Sequence, residues 1–184
     1  MAVLEWKKRT RGLLALVRRP SPAASTREGP EERNERAWRS EPARGPSASD
    51  LTNTVFQYGG PCPAAVKAFR KKAKEHGLRV TFEFNVADYI ENALGIGLRP
   101  CRVLCVVCPY LLLQAAVLDG SGASFLPVRV VFCGKGSHTE IRVVGPFDPL
   151  LPNGLRAPFQ RFFQTLAAVL TEMGARPSDF RPCA

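Results

Sequence analysis

The sequence lacks the long apolar run that a membrane-spanning helix requires. Its longest stretch without a charged residue covers residues 103–118, contains Pro109, and is shorter than the roughly 20 apolar residues that cross a bilayer. Histidine is also scarce, with two in 184 residues, and the carboxylates are dispersed. We therefore predict no transmembrane segment, and the residue counts do not support a hydrolase or a metalloenzyme.

Leu, Ile, Val, Met and Phe are all absent from residues 21–50, which instead hold four Pro, five Ser and eleven charged residues. Such a segment cannot bury enough apolar surface to offset the entropy lost on ordering. We therefore predict a basic, mostly disordered extension over residues 1–50, followed by a single domain over residues 51–184.

The first twenty residues differ from the rest of this extension. They alternate apolar residues with Lys and Arg and contain one acidic residue, Glu5. An arginine-rich, acid-poor amphipathic start is typical of a mitochondrial transit peptide, and it is equally compatible with an extension that carries no targeting information. The predicted compartment is therefore the cytoplasm, with the mitochondrion as the alternative.

Positive charge is spread along the chain rather than gathered in one patch. The 26 Lys and Arg against 16 Asp and Glu give a formal net charge of +10, which favours anionic partners in general. After residue 51, however, most basic residues stand singly between apolar ones, and the cluster at residues 70–74 suits the solvated face of a helix. The pattern argues against a nucleic-acid partner.

From Thr52 onward the pattern is that of alternating strands and helices. The predicted order is strand 54–58, helix 64–76, strand 78–84, helix 85–94, strand 102–108, helix 110–118, strands 125–133 and 140–144 joined by a turn, and helix 158–173. Helices that are apolar on one side must cover a sheet. The prediction is an α+β two-layer sandwich, with a mixed or antiparallel sheet and helices packed on one face.

Two of these strands carry specific expectations. Residues 78–84 alternate strictly, with apolar residues at 78, 80, 82 and 84, which predicts one half-buried apolar face. Residues 102–108 are almost uniformly apolar, which predicts a central strand covered on both faces.

Several short motifs lie within and between these elements in a characteristic order. They are Gly77-Leu78, Phe84-Asn85-Val86, Leu94-Gly95, Pro100, Cys108, Leu126-Pro127 and Asp148-Pro149. In this order, over residues 54–173, the chain resembles the family of small prokaryotic proteins known as domain of unknown function 302. That family's strand-ending cysteine is usually followed by Asn-Pro, whereas here Pro109-Tyr110 follows. The resemblance implies a compact α+β fold and homodimerisation, and it implies no activity.

The six cysteines offer the most tempting chemistry. The spacing of a zinc-binding motif is matched in the sequence by Cys105 and Cys108 together with Cys133 and His138. Residues three apart on a strand point to opposite faces, however, and the two intervening residues are valines rather than the glycine or polar residues of a zinc knuckle. We therefore predict no metal site and no cofactor, and we interpret these cysteines as small core residues.

Cys108 alone has a position that suits a reactive thiol. It ends a strand just before a helix, where unpaired N–H groups and the helix dipole stabilise a thiolate. Its apolar neighbours would instead raise the thiol pKa. The two hypotheses are therefore a non-enzymatic binding or scaffolding domain that self-associates as a homodimer and meets an unknown protein or small ligand, and a thiol-dependent enzyme or redox sensor that uses Cys108.

Overall fold

A computed structural model describes residues 48–118, 120–145 and 151–178. The elements of these residues, in chain order, are α1 (Ala48–Asn53), β1 (Val55–Tyr58), α2 (Cys62–Glu75), β2 (Arg79–Asn85), α3 (Val86–Leu94), β3 (Cys101–Val107), α4 (Pro109–Leu118), a 3-10 helix (Gly120–Phe125), β4 (Val128–Lys135), β5 (His138–Val144), α5 (Asn153–Glu172) and β6 (Arg176–Pro177). The predicted order of elements is confirmed, with α1 added before it and β6 after it.

The strands form one six-stranded sheet in the order β2-β3-β4-β5-β1-β6, and every neighbouring pair is antiparallel. The predicted α+β class is therefore confirmed, and the sheet is antiparallel rather than mixed. Strand β2 and the two-residue strand β6 lie at the edges of the sheet.

One face of the sheet, which we call the inner face, packs against the helices. Its apolar side chains on β3, β4 and β5 alternate with the residues of the opposite face and are fully buried; they are Leu104, Val106, Val128, Val130, Phe132, Ile141 and Val143. Phe69 of α2 meets Phe132 edge to face, with ring centroids 5.4 Å apart. Helix α5 adds a buried aromatic cluster through Phe159, Phe162 and Phe163. A contiguous core thus joins the sheet to its helices.

The helix ends follow the local signals in the sequence. Asn85 caps α3 by accepting a hydrogen bond from the backbone N–H of Asp88, and Gly95 ends that helix at φ 69°. Gly77 follows α2 at φ 72°. Both glycines have the left-handed conformation that residues with a Cβ adopt at a cost, and both were predicted at these positions.

Two element starts differ from the predictions by three residues or more. Strand β4 begins at Val128 instead of Phe125, because Pro127 has no N–H to donate to a strand ladder. Helix α5 begins at Asn153 instead of Pro158, so that the proline lies inside the helix. Leu155 is fully buried in this first part of α5, and its burial offsets the hydrogen bond that Pro158 cannot make.

The predicted extension lies mostly outside the described residues, as does the targeting segment over residues 1–20. Helix α1 crosses the predicted domain boundary at residue 51, and Leu51 is buried in the core. Among the helices of the described ranges, none has both the length and the apolarity needed to cross a membrane.

A β-bulge at Thr81 divides strand β2 into two parts. Val80 is paired with Val106 of the inner face, but Phe82 is paired with Cys105, so the register shifts by one residue between them. An extra residue in one strand reverses the facing of every side chain that follows it. Phe82 and Phe84 therefore lie on the face opposite Val80. The prediction that the alternating residues of β2 share one face is wrong for this reason.

The bulge places Glu83 on the inner face, where its charge is paired. A Glu83 carboxylate oxygen accepts a hydrogen bond from Arg102 of β3 at 2.8 Å, and the other oxygen meets Arg70 of α2. Two arginines thus neutralise the only acidic residue on β2. This ion pair anchors the edge strand to the helix layer on the covered side of the sheet.

Strand β3 also departs from its prediction. It lies next to the edge strand β2 rather than at the centre of the sheet, and it is fully covered on one face only. Leu104 and Val106 are buried on the inner face, whereas Val103 and Cys105 on the other face are only half-buried. The expectation of a central strand buried on both faces is wrong.

Candidate functional site

The face of the sheet opposite α2 and α5 carries an apolar surface that the described residues leave partly uncovered. We call it the open face. Its side chains come from β2, β3 and β4, and the bulge turns the two from β2 towards this face. They are Phe82, Phe84, Cys101, Val103, Cys105, Val131 and Cys133. Phe82 is the most exposed of the aromatic residues in this set, at 58%. Seven side chains without formal charge on one sheet surface exceed the scattered apolar residues of an ordinary protein surface.

Exposed apolar residues continue past the end of β2. The Phe84 ring contacts the Tyr89 ring of α3 with centroids 5.3 Å apart, and Tyr89 is itself largely exposed. Leu94, Ile96 and Leu98, in α3 and the connection to β3, are about half exposed or more. Helix α3 thus extends the open face.

Charged side chains of β4 and β5 border the open face. Arg129 of β4 is directly opposite Cys105, and Glu140 and Arg142 of β5 are opposite Cys133 and Val131. Lys135 is 3.8 Å from Glu140 and pairs with it near the β4–β5 turn. The apolar side chains therefore have charged neighbours along β4 and β5.

Two cysteines of the open face touch each other. Cys101 of β3 and Cys133 of β4 are directly opposite in the strand register, and their sulfurs are 3.3 Å apart. Both side chains are partly exposed. The next pair of residues, Pro100 and Gly134, is joined by a hydrogen bond from the Gly134 N–H to the Pro100 carbonyl at 2.8 Å.

That hydrogen bond identifies the geometry of the cysteine pair. Opposed residues of an antiparallel ladder alternate between hydrogen-bonded and non-hydrogen-bonded pairs, so Cys101 and Cys133 form a non-hydrogen-bonded pair. In such pairs the two side chains are closest, with Cα atoms about 4.5 Å apart. The contact between the sulfurs therefore follows from the backbone register.

The environment of this pair favours a protonated Cys101. Burial, followed by the hydrogen bond with Cys133, raises the pKa of the Cys101 thiol to about 12. Removing water from around a thiolate costs free energy, and the neighbouring sulfur adds repulsion. Both effects oppose deprotonation of Cys101.

A third thiol lies near the same ends of β3 and β4. Cys62, at the start of α2, is buried, and its Sγ is 3.7 Å from the Phe132 carbonyl oxygen. Burial raises the pKa of the Cys62 thiol. An adjacent cavity of about 440 Å³ is lined by residues that include Cys62, Arg99, Pro100, Gly134 and Lys135. Two cationic side chains thus border a space beside the strand ends that carry the cysteine pair.

Cys108 lies where the sequence places it, after β3 and immediately before α4. Its side chain is 1% exposed. Burial raises the pKa of the Cys108 thiol, while hydrogen bonds from the backbone N–H groups of Leu111 and Tyr110 act in the opposite direction without overcoming it. Two backbone N–H groups at the start of α4 thus act on a sulfur that is buried.

The residues that match a zinc-binding motif in the sequence do not come together in the structure. Cys105 belongs to the open face, whereas Cys108 is buried in the core. Cys133 has Cys101 as its neighbour, and His138 begins β5 beyond the turn. In the described ranges, no group of three or more His, Cys, Asp or Glu side chains has an arrangement that could hold a metal ion.

Sequence reasoning missed the contact between Cys101 and Cys133. The turn at residues 136–137 determines only which residues of β4 and β5 are opposite each other. The β3–β4 register has no such local signal, since 20 residues, from 108 to 127, separate these strands. Only the folded sheet brings the two sulfurs together.

Comparison with known proteins agrees with the fold. Residues 54–174 match the family described as Domain of unknown function DUF302. The crystal structure of an uncharacterised conserved DUF302 protein from Bacillus stearothermophilus resembles this one with a TM-score of 0.52 and 18% sequence identity, and the match covers 65% of this chain and 95% of that one. No curated protein matches the chain.

Proposed function

The chain belongs to the family described as Domain of unknown function DUF302, and on that premise we propose that it is a non-enzymatic binding or scaffolding domain that forms a homodimer through its open face. The observation that carries the proposal is the uncovered apolar surface of β2 and β3, with Phe82 and Phe84 exposed at its margin. Leaving such side chains in water costs roughly 25 cal/mol for each Å² of apolar surface. A covering partner removes that cost.

A second copy of the chain is compatible with this surface in its charge and in its symmetry. A two-fold interface places the same patch on both sides, so the patch must be complementary to itself. The open face has no formal charge among its seven side chains, so two copies of it can pack together without electrostatic repulsion. Arg142 and Glu140 beside it have opposite charges, which allows reciprocal pairing at the rim.

The test measures the mass of the full chain in solution by sedimentation velocity over a wide range of concentrations. We expect a dimer, and we expect Phe82→Arg to shift it strongly towards monomer, because a cation would be buried against its own copy. Leu113→Arg is the matched control, since Leu113 of α4 is 62% exposed and lies outside the open face.

Three outcomes would contradict the proposal. The first is a wild-type chain that stays monomeric at every concentration. The second is dissociation by Leu113→Arg with no effect of Phe82→Arg, which would move the interface to α4. The third is a dimer that tolerates both variants. Circular dichroism of each variant confirms that the fold is retained.

A thiol-dependent enzyme or redox sensor centred on Cys108 is the second candidate. The observation that favours it is the pair of backbone N–H groups, from Tyr110 and Leu111, that hydrogen-bond to the sulfur. Under this hypothesis Cys108 reacts with a small alkylating reagent faster than the other thiols of the native protein, and Cys108→Ser removes a function while leaving the melting temperature nearly unchanged. Slow alkylation of all the thiols would exclude it.

The compartment is a separate proposal. We place the protein in the cytoplasm, with the mitochondrion as the alternative because of the arginine-rich pattern of residues 1–20. A fluorescent reporter fused behind residues 1–50 distinguishes the two. Diffuse cytosolic fluorescence excludes import, and co-localisation with a mitochondrial dye excludes the cytoplasmic assignment.

A further inference from the structure

We propose that Cys101 and Cys133 are a redox-active pair that forms a reversible disulfide between β3 and β4 within one chain. The two sulfurs are 3.3 Å apart before any bond forms. Disulfides span Cα–Cα distances of about 4.4–6.8 Å, and a non-hydrogen-bonded strand pair places its Cα atoms about 4.5 Å apart. Rotation of the side chains is therefore sufficient to close the bond, without movement of the backbone.

The reaction needs an electron acceptor, and we assign this role to a low-molecular-weight disulfide. The Cys133 thiolate attacks one sulfur of the reagent, forms a mixed disulfide and releases one reagent thiolate, which takes up a proton. Cys101 then loses its proton, attacks the Cys133 sulfur and releases the second reagent thiolate. Two cysteine thiols are oxidised and one reagent disulfide is reduced to two thiols.

The order of these steps follows from the site. Burial and the hydrogen bond with Cys133 raise the pKa of the Cys101 thiol to about 12, so Cys101 retains its proton while Cys133 reacts. The Cys101 sulfur is 3.3 Å from the Cys133 sulfur, so Cys101 lies beside the mixed disulfide once it has formed.

The other thiols in the part of the chain that the structure describes are less well placed for this reaction. Cys105 is opposite Arg129 rather than another cysteine. Cys108 is buried in the core, and the Cys62 sulfur contacts the Phe132 carbonyl oxygen. Arg99 and Lys135 border the cavity at the ends of β3 and β4, where they offer two positive charges to an anionic reagent such as glutathione disulfide.

The disulfide would also change the stability of the domain. It closes a loop between positions 32 residues apart, and that loop contains α4 and the 3-10 helix. The closed loop restricts the unfolded chain, so the free energy of unfolding rises by an amount that grows with the logarithm of the loop length. For a domain of this size we expect the melting temperature to rise by about 5–10 °C.

The experiment incubates the native full chain in glutathione buffers of graded oxidised-to-reduced ratio, blocks the remaining thiols with iodoacetamide, and maps tryptic peptides by mass spectrometry. Trypsin separates the relevant thiols, because Cys101 falls in peptide 80–102, Cys133 in peptide 130–135, and Cys105 with Cys108 in peptide 103–129. We expect peptides 80–102 and 130–135 to be linked under oxidising ratios and separate after reduction.

Two variants accompany the wild type. Cys105→Ser, a half-buried cysteine of the same strand and face, should keep the linkage and the rise in melting temperature. Cys101→Ser should lose both, and its Cys133 should carry a single glutathione adduct instead. Alkylation of both cysteines at every ratio would overturn the proposal, as would linkage of either one to Cys62 or Cys105, or linkage to a second copy of the chain.

This inference concerns a contact within one chain, but the proposed dimer would cover the open face on which both cysteines lie. The peptide map is therefore made with the Phe82→Arg variant as well as with the wild type. A monomeric wild type with the 101–133 linkage would reject the dimer alone, and a monomeric Phe82→Arg variant without the linkage would reject the disulfide alone.

Discussion

On the inner face of the sheet, Leu104, Val130 and Phe132 are fully buried, whereas their strand neighbours Val103 and Val131 on the open face remain partly exposed. Valine and phenylalanine occur on both faces. Apolar composition therefore does not distinguish a face that packs within the chain from a face that is available to a partner. The distinction comes from where the helices lie and from the one-residue shift at Thr81.

The largest effect that tests this comparison concerns two phenylalanines. Phe132→Ala should lower the free energy of unfolding by about 3–5 kcal/mol, because the ring is fully buried against Phe69 and leaves a cavity. Phe82→Ala, on the open face, should cost less than about 1 kcal/mol in the monomer. Urea denaturation at low protein concentration measures both. Equal losses would show that the open face is covered within the chain.

Two adjacent valines provide a finer version of the same test. Val130→Ala should cost about 2 kcal/mol, because Val130 is fully buried on the inner face. Val131→Ala should cost roughly half as much or less at low concentration, because Val131 is only half-buried. In the proposed dimer the cost of Val131→Ala should grow with protein concentration, while that of Val130→Ala should stay the same. The reverse dependence would contradict the assignment of the two faces.

The smallest effect concerns the charged side chains between α2 and α5. The hydrogen bond with His76, followed by the weaker effect of Lys72, lowers the pKa of Glu172 below its usual value of 4.5. A lowered folded-state pKa stabilises the fold at neutral pH, and this contribution disappears as the pH falls below the usual value and through the folded-state value. Glu172→Gln should therefore lower the melting temperature slightly at pH 7 and hardly at all at pH 3. An equal loss at both pH values would refute this account.

The local signals of the sequence were sufficient for most of the fold. Gly77 and Gly95 were predicted as helix-ending residues and Asn85 as a cap, because these functions depend on one or two neighbouring residues. The order of strands and helices also follows from periodicity over short windows. These predictions required no knowledge of which strands are neighbours in the sheet.

The candidate site depends on contacts between distant parts of the chain, and the sequence could not supply them. The alternation of residues 78–84 predicted one apolar face, but pairing with β3 inserts the bulge and splits it. The contact between Cys101 and Cys133 requires the β3–β4 register, which no turn of fixed length determines. Cys108 was found at its predicted position, but its burial depends on the helix that covers it.

The bulge at Thr81 has a consequence for how relatives of this chain are aligned. A homologue that lacked that one residue would form a regular ladder, in which the counterparts of Phe82 and Phe84 keep their pairing with Cys105 and Val103 and still lie on the open face. A homologue of the same length without the bulge would instead turn those two counterparts towards the helices, even if every amino acid were identical. In this strand the position of a gap therefore has to be known before the alternation of the sequence can assign side chains to a face.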